Sequence, residues 1–413
     1  MFRALLDGHC IHALMIDIDK MSQLNMRIGF DQGDIVLKHI SNKLKRVLGD
    51  DYNLYKYNTD TFIVLAKHTY CKSEVTHFGS QEIEQRILTP DNYSIELEHE
   101  TLALSASIGS AIFDPNKQSF ENVLDILEHT VEQAKLNAPF GLYHVTEQGI
   151  DEYDRYMSIQ TLLKTVVNRD ELSLVMQPQY TNEGKLNSFE ALLRWHSNEF
   201  GWVSPADFIP LAEKSSSIIK IGDWVLLTAC KAIQELLNKG LTTSISVNIS
   251  AKQIIATDFT SKLVKLVRRL NIPPKMLVLE LTETALVIDI TLVKRTMTEL
   301  GEHGFRFSID DFGTGYSSLA YLKELPISEL KIDKYFVDDL EVQKKQKPSA
   351  IVDAIIDMAK ALGVKSVAEG VETKAQYEYL KNKGCDIYQG YYFAKPIGMT
   401  AWRALIAEEC KEK

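Results

Sequence analysis

Two α/β domains in tandem, the second an eight-stranded TIM-like barrel, are what this sequence predicts. Three observations lead there. A length of 413 residues exceeds what one hydrophobic core usually serves and suggests two or three domains. Apolar strand-like runs alternate with helical stripes along most of the chain, as in α/β proteins. From Ser173 onward eight such runs fill about 245 residues, the size and rhythm of a (β/α)8 barrel. An open doubly wound sheet is the competing arrangement for that region.

Bulk composition narrows the function classes. Apolar content of 45% and charged content of 25% are ordinary for a soluble globular chain. A net charge of -10 argues against broad nucleic-acid binding. An anionic substrate would then need metal ions or a few well-placed cations. The five cysteines, Cys10, Cys71, Cys230, Cys385 and Cys410, show no Cys-x-x-Cys spacing and read as reduced thiols, neither a disulfide frame nor a zinc site. No apolar run approaches the ~18 residues that span a bilayer, and no signal-peptide pattern opens the chain. The expectation is a cytoplasmic chain, or the cytoplasmic part of a longer, membrane-tethered protein.

In the first third, the run Ile11-His12-Ala13-Leu14-Met15-Ile16-Asp17 predicts a strand ending at Asp17, with Asp19 two residues on. Ile35, Leu37, Ile40, Leu44 and Val47 stripe a helix over 33–48. Tyr55 to Leu65 reads as a hairpin, Leu102 to Phe113 as a strand region, and Val123 to Leu136 as a helix. These residues resemble the GGDEF domain of diguanylate cyclases, a nucleotidyl-cyclase-like α/β fold. Asp17 stands at that family's first metal-binding Asp. Asn25 and Asp34, in Asn25-x3-Gly29-x3-Gly33-Asp34, match its guanine-recognising pair. The signature itself reads Asn58-Thr59-Asp60-Thr61-Phe62. Both glycines and the acidic fourth residue are replaced, while Asp60 and Phe62 remain. The upstream segment Gly49-Asp50-Asp51-Tyr52 lacks the Arg-x-x-Asp inhibitory motif, Lys135 has a counterpart in the family, and Pro139 falls where a phosphate-gripping Arg belongs. The family's opening Asp-x-Leu-Thr segment is also missing from Met1-Phe2-Arg3-Ala4-Leu5. The resemblance therefore implies a degenerate domain over 1–146 without cyclase activity. It either binds GTP as a sensor or serves as a scaffold, the scaffold being favoured.

Helical spacing of Tyr156, Ile159, Leu163 and Val167 predicts a connecting helix within 147–168. The barrel would occupy 169–413. Its expected strands are Ser173–Pro178, Ser188–Trp195, Ser244–Ser250, Met276–Thr282, Arg306–Asp311, Glu329–Asp333, Lys365–Glu369 and Asp386–Tyr392. The Pro178–Ser188 connection is too short for a parallel crossover, so the first strand should run antiparallel. Ile290, Val293, Met297 and Leu300 stripe one covering helix; Ile351, Ile355, Met358 and Leu362 stripe another.

Function in such barrels collects at the C-terminal strand ends. Reading those ends gives Gln177, Glu190, Asn248, Glu280, Asp310 with Asp311, Lys331, Glu369 and Gln389. Each has a bland alternative. Asp310-Asp311 alone would read as a solvated turn; Glu190 can pair with Arg194, Asn248 can bond a loop, Lys331 can pair with Asp333, and Glu369 can cap a helix. Together those alternatives need a separate coincidence at every strand. Oxygen donors without clustered His or Cys select Mg2+ or Mn2+, and the carboxylates suffice for two ions, with Asp310 a natural bridge. Such a pair suits in-line displacement at a phosphodiester. Lys331 would hold the attacking water or stabilise the transition state, and Glu369 would assist proton removal.

Glu190-Ala191-Leu192-Leu193-Arg194-Trp195, Val247-Asn248-Ile249-Ser250, Glu280-Leu281-Thr282-Glu283, Asp310-Asp311-Phe312-Gly313-Thr314-Gly315-Tyr316, Leu330-Lys331-Ile332-Asp333, Ala368-Glu369-Gly370-Val371-Glu372 and Gln389-Gly390-Tyr391 resemble the EAL-domain cyclic di-GMP phosphodiesterases throughout. The resemblance implies hydrolysis of cyclic di-GMP to linear pGpG. It implies metal ligands Glu190, Asn248, Glu280, Asp310, Asp311 and Glu369, with Lys331 positioning water. Gln177, Arg194 and Gln389 would contact substrate, Glu283 would anchor the loop after Asp311, and that loop with the next helix would form a homodimer. The alternative is a receptor that binds cyclic di-GMP without cleaving it and acts through a protein partner.

Overall fold

The computed structural model describes residues 9–66, 70–71, 77–96, 101–114, 118–145, 147–313, 322–341 and 349–410. The chain divides into two compact units, Met1–Ser158 and Ile159–Lys413.

The first unit is built on β1 (His9–Ile18), β2 (Tyr52–Lys56), β3 (Thr61–Ala66), β4 (Ala106–Phe113) and β5 (Leu142–Val145), ordered β2-β3-β1-β4-β5. β1 is central because both of its faces are apolar, and successive side chains point to opposite sides of a sheet. Ile11, Ala13 and Met15 pack against Val123, Ile126, Leu127 and Val131 of the helix Phe120–Lys135. Leu14, Ile16 and Ile18 pack on the other face against Val36, Ile40 and Leu44 of the helix Phe30–Leu48, and against Ile83 and Ile87 of the helix His77–Ile87. Two expectations need correction. Ile35 is 45% exposed, so the buried stripe of its helix is Val36, Leu37, Ile40, Leu44 and Leu48. The strand region from Leu102 breaks into Thr101–Ala103 and β4.

The second unit closes a barrel of eight strands: β6 (Leu172–Thr181), β7 (Leu186–Ser197), β8 (Ser244–Asn248), β9 (Leu277–Thr282), β10 (Arg306–Phe312), β11 (Glu329–Ile332), β12 (Lys365–Ala368) and β13 (Ile387–Tyr388). β7 to β13 are parallel neighbours in sequence order. β6 is antiparallel to both β7 and β13. The reason is the one anticipated: the turn before Leu186, closed by Thr181 N–H to Lys185 O at 2.9 Å, leaves room only for a hairpin. The helix Ile290–Glu302 buries Val293, Met297 and Leu300 as expected. The helix Ser349–Leu362 is rotated from expectation, because Ile351 is 47% exposed while Val352, Ile355, Ile356 and Ala359 face the barrel.

Two residues expected at strand ends lie mid-strand. Gln177 is inside β6 and opposite Glu190, which is inside β7. β7 runs on past the barrel rim, as its expected span to Trp195 implied, and there Trp195 to Ser197 pair with the strand Gly201–Val203. Among the described residues no helix is long and apolar enough to cross a membrane.

Candidate active site

Lys331, on β11, is the centre of the barrel mouth. It is 1% exposed, and its Nζ lies 2.6 Å from Glu369 Oε1, 2.9 Å from Glu280 Oε2, 3.1 Å from Asp310 Oδ2 and 3.7 Å from Glu190 Oε1. These carboxylates come from β7, β9, β10 and the residue after β12, so parallel strands deliver them to one place. Burial by itself would lower the ammonium pKa, but the four carboxylates hold it well above its ordinary value. Lys331 therefore stays charged, and the proposed pairing with Asp333 does not form. Asp333 instead caps the helix Lys334–Asp338 through Tyr335 N–H at 2.6 Å.

Glu190 is held by amides. Asn248 Nδ2 donates to its Oε1 at 2.9 Å, and Gln389 Nε2 donates to its Oε2 at 2.6 Å and to Gln177 Oε1 at 3.1 Å. Burial opposes ionisation of Glu190, but Lys331 and these donors overcome it and keep its pKa below the usual carboxylate value. Arg194 is not its ion-pair partner; the guanidinium donates to Leu193 O at 2.8 Å. Behind Gln389 stands a support that the sequence reading missed. Gln179 Nε2 donates to Gln389 Oε1 at 2.7 Å, and Ser188 Oγ donates to Gln179 Oε1 at 2.5 Å. Strand alternation was the available signal, since Gln179 shares the face of Gln177. Gly390 follows Gln389 because a Cβ there would sit 2.1 Å from Val371 O.

At the end of β10 the backbone bends sharply. Asp311 has φ +54°, a left-handed conformation that Asp tolerates better than most residues. Its N–H donates to Asp310 Oδ1 at 2.9 Å, and Gly313 N–H donates to Glu283 Oε2 at 2.9 Å. Glu283, 2% exposed, thus ties down the start of the loop. The rest of that loop, 314–321, with the dimer contacts expected of it, lies outside the described residues. Burial, then the Asp310 and Asp333 carboxylates, raise Asp311 to about 7. Burial, only partly offset by Lys331 and reinforced by Asp310 and Glu190, raises Glu369 to about 8. Glu280 moves well above the carboxylate range for the same reasons.

These groups fit divalent cations. Glu190, Glu280 and Asp310 can bring one oxygen each within 4.8 Å of one another, and so can Asp310, Asp311 and Glu369. Asp310 belongs to both sets. Glu280 Oε1 is buried without a hydrogen-bond partner, a costly condition that a cation relieves. The donors are hard oxygens, which suit Mg2+ or Mn2+. Beside them a cleft of about 460 Å3 is lined by Arg194, Asn248, Thr282 and Glu213. A wider hollow along the helix Ile290–Glu302, lined by Lys294, Arg295 and Glu324, contains none of the barrel-mouth carboxylates.

In the first unit Asp17 and Asp60 come together at the junction of β1 and β3, where Ile18 N–H donates to Asp60 O at 3.0 Å. Asp17 already has partners: Lys135 Nζ at 2.8 Å and Thr61 Oγ1 at 3.3 Å. Burial raises its pKa despite Lys135. Asn25 is buried against Gly33, with its Oδ1 lacking a hydrogen-bond partner, and Asp34 is exposed on the next helix.

Compared with known proteins, residues 159–396 match the EAL domain, and residues 2–138 match the diguanylate cyclase GGDEF domain. The chain belongs to the EAL domain family. It carries the tandem GGDEF–EAL arrangement, with the altered signature at 58–62. Cyclic di-GMP phosphodiesterase NbdA of Pseudomonas aeruginosa is 32% identical over 398 residues, covering 96% of this chain and 50% of that protein. The bifunctional diguanylate cyclase/cyclic di-GMP phosphodiesterase MucR of the same organism is 33% identical, covering 98% of this chain and 58% of that protein. The solved PaMucR phosphodiesterase, in complex with c-di-GMP, is 38% identical with a TM-score of 0.57 and covers 59% of this chain and 99% of that chain. The chain spans about half the length of the curated relatives it matches. The EAL domain thus accounts for the barrel and for the clustering of its acidic side chains.

Proposed function

We propose that the EAL domain hydrolyses one phosphodiester of cyclic di-GMP to linear pGpG with two Mg2+ or Mn2+ ions, in the cytoplasm. The observation that supports this best is the charge imbalance of the barrel mouth. Five carboxylates, Glu190, Glu280, Asp310, Asp311 and Glu369, surround or adjoin one ammonium. Fully ionised they leave about four negative charges in a buried site, which two divalent ions neutralise. Glu190, Asn248, Glu280, Asp310, Asp311 and Glu369 would hold the ions, with Asp310 shared. Bound ions supply Lewis acidity at the scissile phosphate and lower the pKa of an attacking water.

The chain's own side chains do the rest. Lys331 Nζ orients the water, and Glu369 Oε1, 2.6 Å from that nitrogen, takes its proton. Arg194 presents its guanidinium to a substrate phosphate from the cleft wall. Gln389 donates to Glu190 and to Gln177, so we assign the two glutamines a positioning role as well as the expected contact with substrate. The first domain, residues 1–146, joined through 147–168 to the barrel at 169–413, acts as an inactive scaffold. Lys135 satisfying Asp17 supports that choice over GTP sensing.

Incubating the chain with cyclic di-GMP and Mg2+ and resolving products by chromatography tests the reading. Linear pGpG that disappears with a chelator or with Glu190→Ala is expected. Bound but intact substrate would overturn hydrolysis and favour a receptor.

A further inference from the structure

A second cluster of metal-type donors lies in the first unit, away from the retained Asp17 and Asp60. His12 of β1, Ser110 of β4 and His144 of β5 stand on neighbouring strands, with Ser110 directly opposite His144. They share the face of Leu14 and Ile16, the one covered by the helix His77–Ile87. That helix sends Ile83 and Ile87 into the apolar layer and Glu84 into the cluster. We propose that His12, Glu84, His144 and Ser110 form a binding site for one zinc-class divalent ion.

The geometry supports it. His12 Nε2 is 3.3 Å from Glu84 Oε1 and 3.0 Å from Ser110 Oγ; His144 Nδ1 is 3.0 Å from the same carboxylate oxygen and 2.9 Å from the same hydroxyl. Ser110 Oγ also contacts Glu84 Oε1. Four donors on a tetrahedron with bonds of about 2.0–2.1 Å stand roughly 3.3–3.4 Å apart, so a small outward adjustment of side chains admits an ion. The three titratable groups meet within 4.8 Å of one another.

A second, independent observation points the same way. Every partner of Glu84 converges on Oε1, whereas Oε2 is buried with no hydrogen-bond partner in a side chain 1% exposed. An ion held by both carboxylate oxygens would satisfy Oε2 as well. Outside the donors, Tyr52 OH lies 3.2 Å from His12 Nδ1, the outer contact that fixes which imidazole nitrogen faces the metal. Two imidazoles with a carboxylate and a hydroxyl select zinc over magnesium, the reverse of the all-oxygen barrel mouth. Because the donors come from three strands and a helix, the ion pins that helix to the sheet, and its binding becomes stability of the first unit.

The experiment uses the full chain, stripped of metal and then held in excess Mg2+ to occupy the barrel mouth. Zn2+ is titrated against a chromophoric chelator, Co2+ is followed by its visible d–d absorption, and unfolding is monitored with each ion. The expected result is one equivalent of Zn2+, a four-coordinate Co2+ band, and a melting temperature raised by Zn2+ but not further by Mg2+. Glu84→Gln and His144→Gln should lose all three signals. His144, being half-buried, tolerates substitution if Glu84→Gln fails to fold. An unchanged stoichiometry and Co2+ spectrum in His144→Gln, or no Zn2+ retained by the parent chain, would overturn the proposal and leave a hydrogen-bonded ion cluster.

Discussion

The barrel mouth and the acidic edge of the first domain both set a lysine against carboxylates, in different proportions. At the edge, Asp17 faces one Lys135 at 2.8 Å, and that lysine is 46% exposed. In the mouth, Lys331 is 1% exposed and faces four carboxylates. The first is a single ion pair open to solvent on its lysine side; the second has acid in large excess and little water to screen it. The lesson is that retained carboxylates do not by themselves mark a cation site. A surplus of them over local positive charge does.

Experiments can break that contrast, the largest effect first. Asp310→Ala, which removes the oxygen shared by both sets, should lower kcat/KM by more than the ~100-fold that loss of an outer-shell partner can cost. Steady-state kinetics at saturating Mg2+ would check it. Lys331→Met should lower kcat far more than it raises KM. It should also destabilise the metal-free chain by about 3–5 kcal/mol, since the carboxylates lose their buried partner. Urea unfolding with and without Mg2+ would show whether the cation restores that loss. Gln389→Ala should cost ~10–100-fold in activity, with a raised Mg2+ requirement, because Glu190 loses its 2.6 Å donor. Asp17→Asn should leave turnover unchanged and shift stability by no more than about 1 kcal/mol; a large loss of activity would erase the distinction between the two sites.

Thiol labelling gives the smallest effect and reports on neutral buried groups. Burial pushes Cys385 up to about 11 and Cys230 up to about 12. Near pH 8 their thiolates then amount to roughly one in a thousand and one in ten thousand. Labelling of the native barrel at these positions should therefore be slow and rise about tenfold per pH unit, while the less buried Cys410 reacts first.

Much of this was legible in the sequence for a physical reason. Parallel strands covered on both faces are mainly apolar runs, so Leu277-Val278-Leu279, closed by Glu280, reads as a strand and little else. Polar residues closing such runs are conspicuous, and Glu280, Asp310, Lys331 and Glu369 do converge. Other features were hidden. Glu190 reads as a strand end although the expected run already reaches Trp195; what the sequence hides is where the barrel rim falls along β7. Gln179 and Ser188 carry no local sign of their role, because Gln389, which Gln179 supports, comes from the far end of the chain. Ile351 misled because an apolar residue on a helix surface shifts the apparent stripe. The donors His12, Glu84, Ser110 and His144 have no motif at all; the sheet register collects the three strand residues and the packing of the helix His77–Ile87 adds Glu84.

The reversed first strand of the barrel has a further effect. In an all-parallel barrel the chain enters at the floor, remote from the reacting groups. Here β6 begins at Leu172, paired with Trp195 beyond the rim, so the polypeptide arrives at the working end. From that entry, about five residues of one strand lead to Gln177, whose oxygen accepts from the same amide that grips Glu190. The barrel thus resembles an instrument with its input lead soldered beside the sensor: one short stretch of strand separates the incoming segment from the amide that grips Glu190.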